Sequence, residues 1–220
     1  MKYNKQAETG VLFDMDGVLV NSNPVHKQVI RQFCAEYGIT ISENFFLENI
    51  SGRKNSEWIP LVFPGKTIGE IDRLADEKEQ LFRNTFDPAA AVTPGLLSFL
   101  KELQNRQAPM AVATSAPEEN AVFILERLGI TGFFDAVLHS GHVTEGKPHP
   151  EIYIKAARAL GLTPGACVVF EDSVAGVVSG RRAGARVVGL AGTHTPEELD
   201  GCHMVIRDFR ELTPDEVLNL

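Results

Sequence analysis

Apolar and polar positions follow two different patterns along the chain. Between residues 20 and 90, apolar residues such as Val25, Val29, Phe33 and Tyr37 recur every four positions, a spacing that predicts helices. From residue 93 onward, short apolar runs alternate with further helical segments. Alternating strands and helices indicate an α/β fold with a parallel sheet covered on both faces. One apolar run precedes the helical block, so the block is predicted to be an insertion after the first strand.

The same pattern predicts the individual elements. The expected strands are residues 11–13, 110–113, 136–138, 168–170 and 186–189. The first helix is expected to be capped by Asn23, to carry Pro24 in its first turn and to end at Gly38. A second long helix is predicted to start at Thr67, and later helices to cover residues 96–106, 118–128, 151–160 and 174–183.

Two carboxylates directly follow the first predicted strand. Asp14 and Asp16 are two residues apart, and Gly17 indicates a turn. In an open α/β sheet, ligands bind beyond the carboxyl ends of the strands, so this pair is placed for chemistry. A solvated turn would use the same residues. A calcium loop would need further oxygen ligands at alternating positions and a final Glu, which residues 18–20 do not supply.

Further polar residues follow in a fixed order downstream. Thr114 and Ser115 end the second apolar run, Lys147 lies in a loop between Gly146 and Pro148, and Glu171 and Asp172 end another run. Together with the Phe13-Asp14-Met15-Asp16-Gly17-Val18-Leu19 segment, these features resemble the four motifs of the haloacid dehalogenase-like hydrolase superfamily. The resemblance covers nearly the whole chain and is strongest to the branch that holds β-phosphoglucomutase and small sugar-phosphate phosphatases.

The resemblance implies an architecture and a division of domains. It implies a Rossmann-like, three-layer parallel-sheet core formed by residues 1–19 and 91–220. Residues 20–90 would form an α-helical cap domain inserted after the first strand.

The resemblance also implies a role for each motif. Asp14 would be the nucleophile that forms an aspartyl phosphate, and Asp16 the general acid and base. Thr114, Ser115 and Lys147 would bind the phosphoryl group, since a hydroxyl and N–H groups at a helix start suit an anion. The implied cofactor is Mg²⁺, with Asp14, the backbone carbonyl of Asp16, Glu171 and Asp172 as its ligands. Asp172 would bind it directly, and Glu171 either directly or through water.

Positions in the implied cap would set specificity. His26 resembles a histidine that supports the acid/base aspartate in mutase-like members, although a histidine on a helix surface would look the same. Arg53, in the segment Ser51-Gly52-Arg53, and Lys78 are cations that a cap could present to substrate, with solvated charges as the alternative. Asn21 is a departure, because many relatives carry Asp at that place.

Net charge, apolar stretches and cysteine content limit the kinds of molecule and compartment that we expect for this protein. The 220 residues carry a formal charge of −8, which argues against nucleic acid because binding its phosphates relies on clustered Lys and Arg. No apolar stretch approaches the roughly 20 residues that span a bilayer, and the first residues lack the apolar segment of a secretory signal. The three scattered cysteines, Cys34, Cys167 and Cys202, are expected to be free thiols. We therefore expect a cytoplasmic monomer or weak dimer that acts on a small phosphorylated metabolite.

The function that these features predict is a Mg²⁺-dependent phosphatase of small organic phosphate monoesters, such as sugar or polyol phosphates. A β-phosphoglucomutase would share every core residue, and an inorganic pyrophosphatase would differ only in its cap. A catalytically inactive binding module on the same fold is a fourth possibility, which loss of Asp14, Asp16, Lys147 or Asp172 would mark; all four are present.

Overall fold

The computed structural model describes residues 9–50 and 53–220. These residues form two compact units. The α/β unit comprises the described residues up to Asn21 together with Pro88–Leu220, and the helical unit is Ser22–Asp87.

The α/β unit is built on one parallel sheet. Its strands are β1 (Gly10–Phe13), β2 (Met110–Ala113), β3 (Ala136–Leu138), β4 (Cys167–Glu171), β5 (Arg186–Leu190) and β6 (Met204–Ile206). All pair in parallel in the order β3-β2-β1-β4-β5-β6. Phe13 pairs in register with Val112 of β2 and with Phe170 of β4. The residues that follow these three central strands therefore lie side by side, and the predicted α/β fold with a parallel sheet is confirmed.

The helices follow the sequence pattern closely. They are α1 (Asn23–Glu36), α2 (Glu43–Asn49), α3 (Asn55–Val62), α4 (Ile68–Thr85), α5 (Leu96–Asn105), α6 (Glu118–Leu128), α7 (Glu151–Ala159), α8 (Val174–Ala183) and α9 (Pro214–Leu218). The expectation that Asn23 caps α1 is wrong: Ser22 is the N-cap residue and Asn23 is the first helical residue. Thr67 caps α4 through a capping box with Glu70, as its position before the apolar pattern suggests.

Both faces of the sheet are buried, which explains why the strands read as continuous apolar runs. On one face, Leu12 and Val169 pack in a cluster with Ile152 of α7 and Val177 of α8. On the other face, Phe13 stacks on Phe170 with ring centroids 5.2 Å apart. Phe99 of α5 and Phe209 complete this aromatic cluster. The α/β unit is thus a sheet with helices on each side.

The helical unit has an apolar core of its own. Residues from α1 to α4 form one cluster that includes Phe33, Phe46, Trp58, Ile59 and Leu74. The single tryptophan of the chain is fully buried there, and its indole Nε1–H donates to Asn55 Oδ1 at 3.1 Å.

The three cysteines are free thiols. Burial raises the pKa of Cys34, Cys167 and Cys202 to about 11, so all three are protonated at neutral pH. Among the described residues, no helix is both long enough and apolar enough to cross a membrane.

Candidate active site

The turn after β1 places two carboxylates at the end of the sheet. Asp14 directly follows the strand, and its N–H donates to Phe170 O at 3.0 Å. The following turn closes with a bond from Gly17 N–H to Val20 O at 2.7 Å, and Gly17 has φ of +78°, which favours glycine. Met15 is fully buried, whereas Asp16 is only half-buried. The backbone therefore fixes Asp14 within the site and leaves Asp16 nearer to its edge.

Lys147 is the positive centre of the site. Its ammonium lies 2.8 Å from Asp14 Oδ1 and 2.6 Å from Glu171 Oε1. The Tyr153 ring lies on another side, with its centroid 5.0 Å from Nζ. Burial lowers the pKa of Lys147, but attraction to Asp14 and Glu171 outweighs that effect and raises it overall. Lys147 is therefore fully charged and held in place at neutral pH.

Glu171 is completely buried and accepts hydrogen bonds on both oxygens. Oε1 receives the Lys147 ammonium at 2.6 Å and the Tyr153 hydroxyl at 2.7 Å. Oε2 receives the N–H of Asp172 at 3.0 Å, and the N–H and hydroxyl of Ser173, each at 3.1 Å. A buried carboxylate needs such partners, because desolvation without them is costly. With five donors on its two oxygens, Glu171 is held in place and anchors Lys147.

The start of α8 is shaped to receive the Glu171 carboxylate. Ser173 caps this helix by accepting the N–H of Gly176 at 3.1 Å. A Cβ at Gly176 would lie 1.8 Å from Glu171 Oε1, so any larger residue would displace the carboxylate. Gly176 is therefore needed for close approach of Glu171 to the positive end of the helix.

Asp172 lies beside Glu171 and is 4% exposed. Its Oδ2 accepts a hydrogen bond from the Thr193 hydroxyl at 2.8 Å. Burial, followed by repulsion from Glu171, raises the pKa of Asp172 to about 7, and Asp16 adds to this effect. The pKa of Asp14 is also raised well above its ordinary value, mainly by burial and despite the attraction of Lys147. Both pKa values are thus raised first by burial and further by neighbouring carboxylates, and Lys147 offsets only part of this.

This donor set suits a hard divalent cation. Asp14, Glu171 and Asp172 each offer a carboxylate oxygen, and these atoms lie within 4.8 Å of one another. Among the described residues this is the only such group of three. Oxygen ligands without nitrogen or sulfur are those that Mg²⁺ prefers, and a cation here would relieve the repulsion among the three carboxylates.

The loop after β2 contributes hydroxyl groups at the adjacent strand end. Thr114 is 1% exposed, and its N–H donates to Leu138 O at 2.9 Å. Its Oγ1 accepts the N–H of Ala116 at 3.0 Å, while Pro117 occupies the N-cap position of α6. Thr114 therefore does not cap α6, and its hydroxyl proton can be donated to an anion. Ser115, by contrast, is exposed.

The predicted cap residues belong to the helical unit. The buried Lys78 forms an ion pair with the neighbouring Glu79, which also accepts Asn55 Nδ2–H at 2.7 Å. The His26 ring stacks on Phe82 with centroids 3.9 Å apart. Burial raises the pKa of Glu79, but the combined attraction of Lys78, His26 and the bond from Asn55 makes the net shift downward. Glu79 thus links His26 and Lys78 electrostatically.

Arg53 takes no part in these contacts. Its side chain is exposed, and Nη2 donates to Glu48 O at 3.3 Å. Ser51 and Gly52, which precede it in the predicted segment, lie outside the described residues.

Sequence reasoning missed several residues that contact the motif side chains. Tyr153, Ser173, Gly176 and Thr193 each touch Glu171 or Asp172, or make room for them. A tyrosine within an otherwise apolar face of α7 was the available signal for Tyr153. The position of Thr193, twenty-one residues after Asp172, carried no signal of its own.

Comparison with known proteins identifies the family. The model of the haloacid dehalogenase-like hydrolases matches residues 9–184. A validoxylamine A 7'-phosphate phosphatase from Streptomyces hygroscopicus subsp. limoneus is 31% identical over 201 residues, covering 91% of this chain and 94% of that protein. A phosphorylated carbohydrates phosphatase from Thermotoga maritima is 31% identical over 217 residues, covering 96% of each.

A solved structure agrees with these relatives. The crystal structure of a HAD hydrolase, family IA, variant 3, from Entamoeba histolytica superposes with a TM-score of 0.88 at 28% identity, covering 96% of this chain and 98% of that one. The expected superfamily is confirmed, and the phosphatase predicted from the motifs agrees with the activities for which both relatives are named. The chain belongs to the haloacid dehalogenase-like hydrolase family.

Proposed function

We propose that this protein is a Mg²⁺-dependent phosphatase of small organic phosphate monoesters, with sugar or polyol phosphates as its substrates. The observation that carries the proposal is the contact of Asp14 with Lys147 at 2.8 Å beside Glu171 and Asp172. A nucleophilic carboxylate, a fixed ammonium and a cation site are the parts that phosphoryl transfer needs. Two relatives, one named as a validoxylamine A 7'-phosphate phosphatase and one as a phosphorylated carbohydrates phosphatase, support the substrate class.

The first chemical step is attack of an Asp14 carboxylate oxygen on phosphorus. The bond from phosphorus to the ester oxygen breaks, its electron pair stays on the leaving oxygen, and Asp16 donates a proton to that oxygen. Lys147 neutralises charge on the phosphoryl oxygens, and the hydroxyls of Thr114 and Ser115 donate to them. The alcohol leaves, and Asp14 remains as an aspartyl phosphate.

The second step returns the enzyme to its starting state. Water attacks the phosphorus of the aspartyl phosphate, and Asp16, now a carboxylate, accepts the proton. The bond from phosphorus to Asp14 breaks, inorganic phosphate leaves and the carboxylate is restored. The half-buried position of Asp16 suits this role, because it must reach both the leaving group and water.

The cation would be held by Asp14, Asp172 and the backbone carbonyl of Asp16, with Glu171 beside them. When bound, Mg²⁺ supplies positive charge against the phosphoryl oxygens. It would also favour the ionised form of Asp14, which the nucleophilic role requires.

The helical unit is proposed to be the cap that selects the substrate through His26 and Arg53, with Lys78, buried in its pair with Glu79, supporting that unit from inside. Substituting His26 or Arg53 with Ala should leave turnover of acetyl phosphate nearly unchanged. The same variants should lower kcat/KM for the preferred sugar phosphate. Each lost charged contact should cost about 1–3 kcal/mol of transition-state stabilisation. Equal losses on both substrates would show that these residues only stabilise the helical unit.

The activity itself is tested by measuring phosphate release. Sugar and polyol phosphates, nucleotides and pyrophosphate should be compared with Mg²⁺ present, and the proposal expects the highest kcat/KM on a sugar or polyol phosphate. Preference for pyrophosphate would contradict it. β-Glucose 1-phosphate with a trace of its bisphosphate separates the mutase alternative: glucose 6-phosphate without free phosphate would identify a mutase, and steady phosphate release a hydrolase.

A further inference from the structure

Tyr153 lies outside the four motifs and contacts both charged groups at the centre of the site. It is a fully buried residue in the first turn of α7. Its hydroxyl donates to Glu171 Oε1 at 2.7 Å, and its ring lies against the Lys147 ammonium, with 5.0 Å between Nζ and the ring centroid. One side chain therefore touches the ammonium proposed to bind phosphate and the carboxylate that anchors it.

Packing alone does not require this hydroxyl. Tyr153 shares its buried cluster with apolar residues such as Ile152, Ala156, Val169 and Val177. A phenylalanine would fill the same space and would keep the ring face toward Lys147. A buried polar group needs a hydrogen-bond partner, and the Tyr153 hydroxyl finds it in Glu171 Oε1.

Two donors share one oxygen of Glu171. Oε1 receives the Lys147 ammonium at 2.6 Å and the Tyr153 hydroxyl at 2.7 Å, while Oε2 is held by the start of α8. The Tyr153 hydroxyl, which α7 carries, thus fixes Oε1 beside the Lys147 ammonium. Because Lys147 bridges Asp14 and Glu171, a shift of Oε1 would move the ammonium relative to the nucleophile.

We infer that Tyr153 is a positioning residue, whose hydroxyl fixes Glu171 and, through it, the Lys147 ammonium that binds the phosphoryl group. This inference rests on the proposed function. It assigns to Tyr153 no contact with substrate, so its effect should appear in phosphate binding and turnover together.

The test compares wild type with Tyr153→Phe, which removes one oxygen atom. With Mg²⁺ present, the dissociation constant of inorganic phosphate is measured by calorimetry, and kcat/KM on the best substrate by phosphate release. Loss of a hydrogen bond to a charged, buried acceptor should weaken phosphate binding and lower kcat/KM, each about tenfold. Both are measured well below the melting temperature of the variant.

Two control variants separate positioning from stability. Tyr37→Phe removes an exposed hydroxyl in the helical unit that donates to Glu77, and should change neither quantity. Ile124→Val removes a methyl group from a fully buried residue of α6 and should lower the melting temperature without weakening phosphate binding.

The possible outcomes are distinguishable. Phosphate binding by Tyr153→Phe as tight as that of wild type would overturn the positioning role and leave the proposed function intact. A loss of binding in Ile124→Val equal to that in Tyr153→Phe would also overturn it, since stability would then explain both. If wild type itself binds no phosphate and releases none from any ester, the proposed function fails and the inference fails with it. The inference is supported if Tyr153→Phe binds phosphate more weakly than wild type while both control variants bind phosphate as tightly as wild type.

Discussion

The α/β unit and the helical unit each bury a lysine beside carboxylates, but they balance the charge differently. In the α/β unit, Lys147 faces Asp14 and Glu171, with Asp172 beside them. In the helical unit, Lys78 pairs with one neighbouring carboxylate, Glu79. The pKa values of Asp14 and Asp172 are raised, whereas the pKa of Glu79 is lowered. Burial raises all three pKa values; it outweighs the attraction of Lys147 at Asp14 and Asp172, whereas at Glu79 the attraction of Lys78 and His26 and the bond from Asn55 outweigh it.

The contrast shows which buried charges call for a ligand. A single ion pair with further hydrogen bonds neutralises itself and can remain in a folded protein without any partner from solution. A cluster with more carboxylates than ammonium groups stays under repulsion until a cation or a proton joins it. Perturbed carboxylates grouped in this way are typical of functional sites. The α/β unit therefore holds the proposed chemistry, and the Lys78–Glu79 pair is first of all structural.

Removing the proposed nucleophile, Asp14, from the carboxylate cluster of the α/β unit should have the largest effect, a loss of activity. Asp14→Asn should lower kcat at least about a thousandfold, because an amide cannot form the aspartyl phosphate. The side chain keeps almost the same volume, so circular dichroism should show an unchanged fold. Phosphate release provides the measurement, and a kcat within tenfold of wild type would refute the assignment of Asp14.

Removing one partner from the balanced pair should damage stability. Lys78→Met leaves Glu79 buried without its cation and should lower the free energy of unfolding by about 3–5 kcal/mol, measured in urea. The double variant Lys78→Met with Glu79→Leu should recover most of that loss, because no charge remains buried. A single variant as stable as wild type would mean that the pair is solvated, and the contrast between the units would then disappear.

Substitution of Glu151, a carboxylate that holds the loop before Lys147, should have the smallest effect: a small change in melting temperature that depends on pH. Glu151 Oε2 accepts the N–H groups of Thr144 and Glu145, and Oε1 pairs with Lys155. The bond from Glu145, followed by that from Lys155, lowers the pKa of Glu151 from 4.5 to about 2. A depressed pKa stabilises the fold above the ordinary value, and the contribution is lost as the pH falls from about 4.5 toward 2.

The matched variant is Glu151→Gln. It should melt slightly below wild type at pH 7, and the difference should shrink as the pH is lowered from about 4.5. A difference that grows in acid would contradict the assigned direction. This variant should leave the raised pKa values of Asp14 and Asp172 nearly unchanged, since their main causes are burial, Glu171 and Lys147.

The sequence predicts well those residues whose position in the site follows from the strand next to them in the chain. Asp14 and Thr114 each follow an apolar strand directly and Glu171 is the last residue of one, so the position of each strand also places the polar residue. Strand β6 (Met204–Ile206) was missed although β3 is equally short, because the described residues between β5 and β6 form no helix and the alternation of strands and helices stops there. Helix α9, at five residues, was missed because it is too short for a periodic pattern.

Contacts that depend on tertiary packing were not predictable in this way. Tyr153 becomes important only because α7 packs where Glu171 is buried. Thr193 meets Asp172 from the loop after β5. Adjacent residues on a helix do not usually face each other, so the Lys78–Glu79 pair also ran against expectation. The sequence suggested that Lys78 faces either substrate or solvent, and it did not predict the pair with Glu79.

Titration of metal-free protein with Mg²⁺ tests the central claim most directly. We expect one bound Mg²⁺ per chain, a melting temperature that rises with Mg²⁺ concentration, and phosphatase activity that is absent in excess chelator and restored by Mg²⁺ but not by Ca²⁺. Asp172→Asn should weaken Mg²⁺ binding, whereas the double variant of Lys78 and Glu79 should bind it like wild type. Full activity in excess chelator, or unchanged Mg²⁺ affinity in Asp172→Asn, would contradict the account.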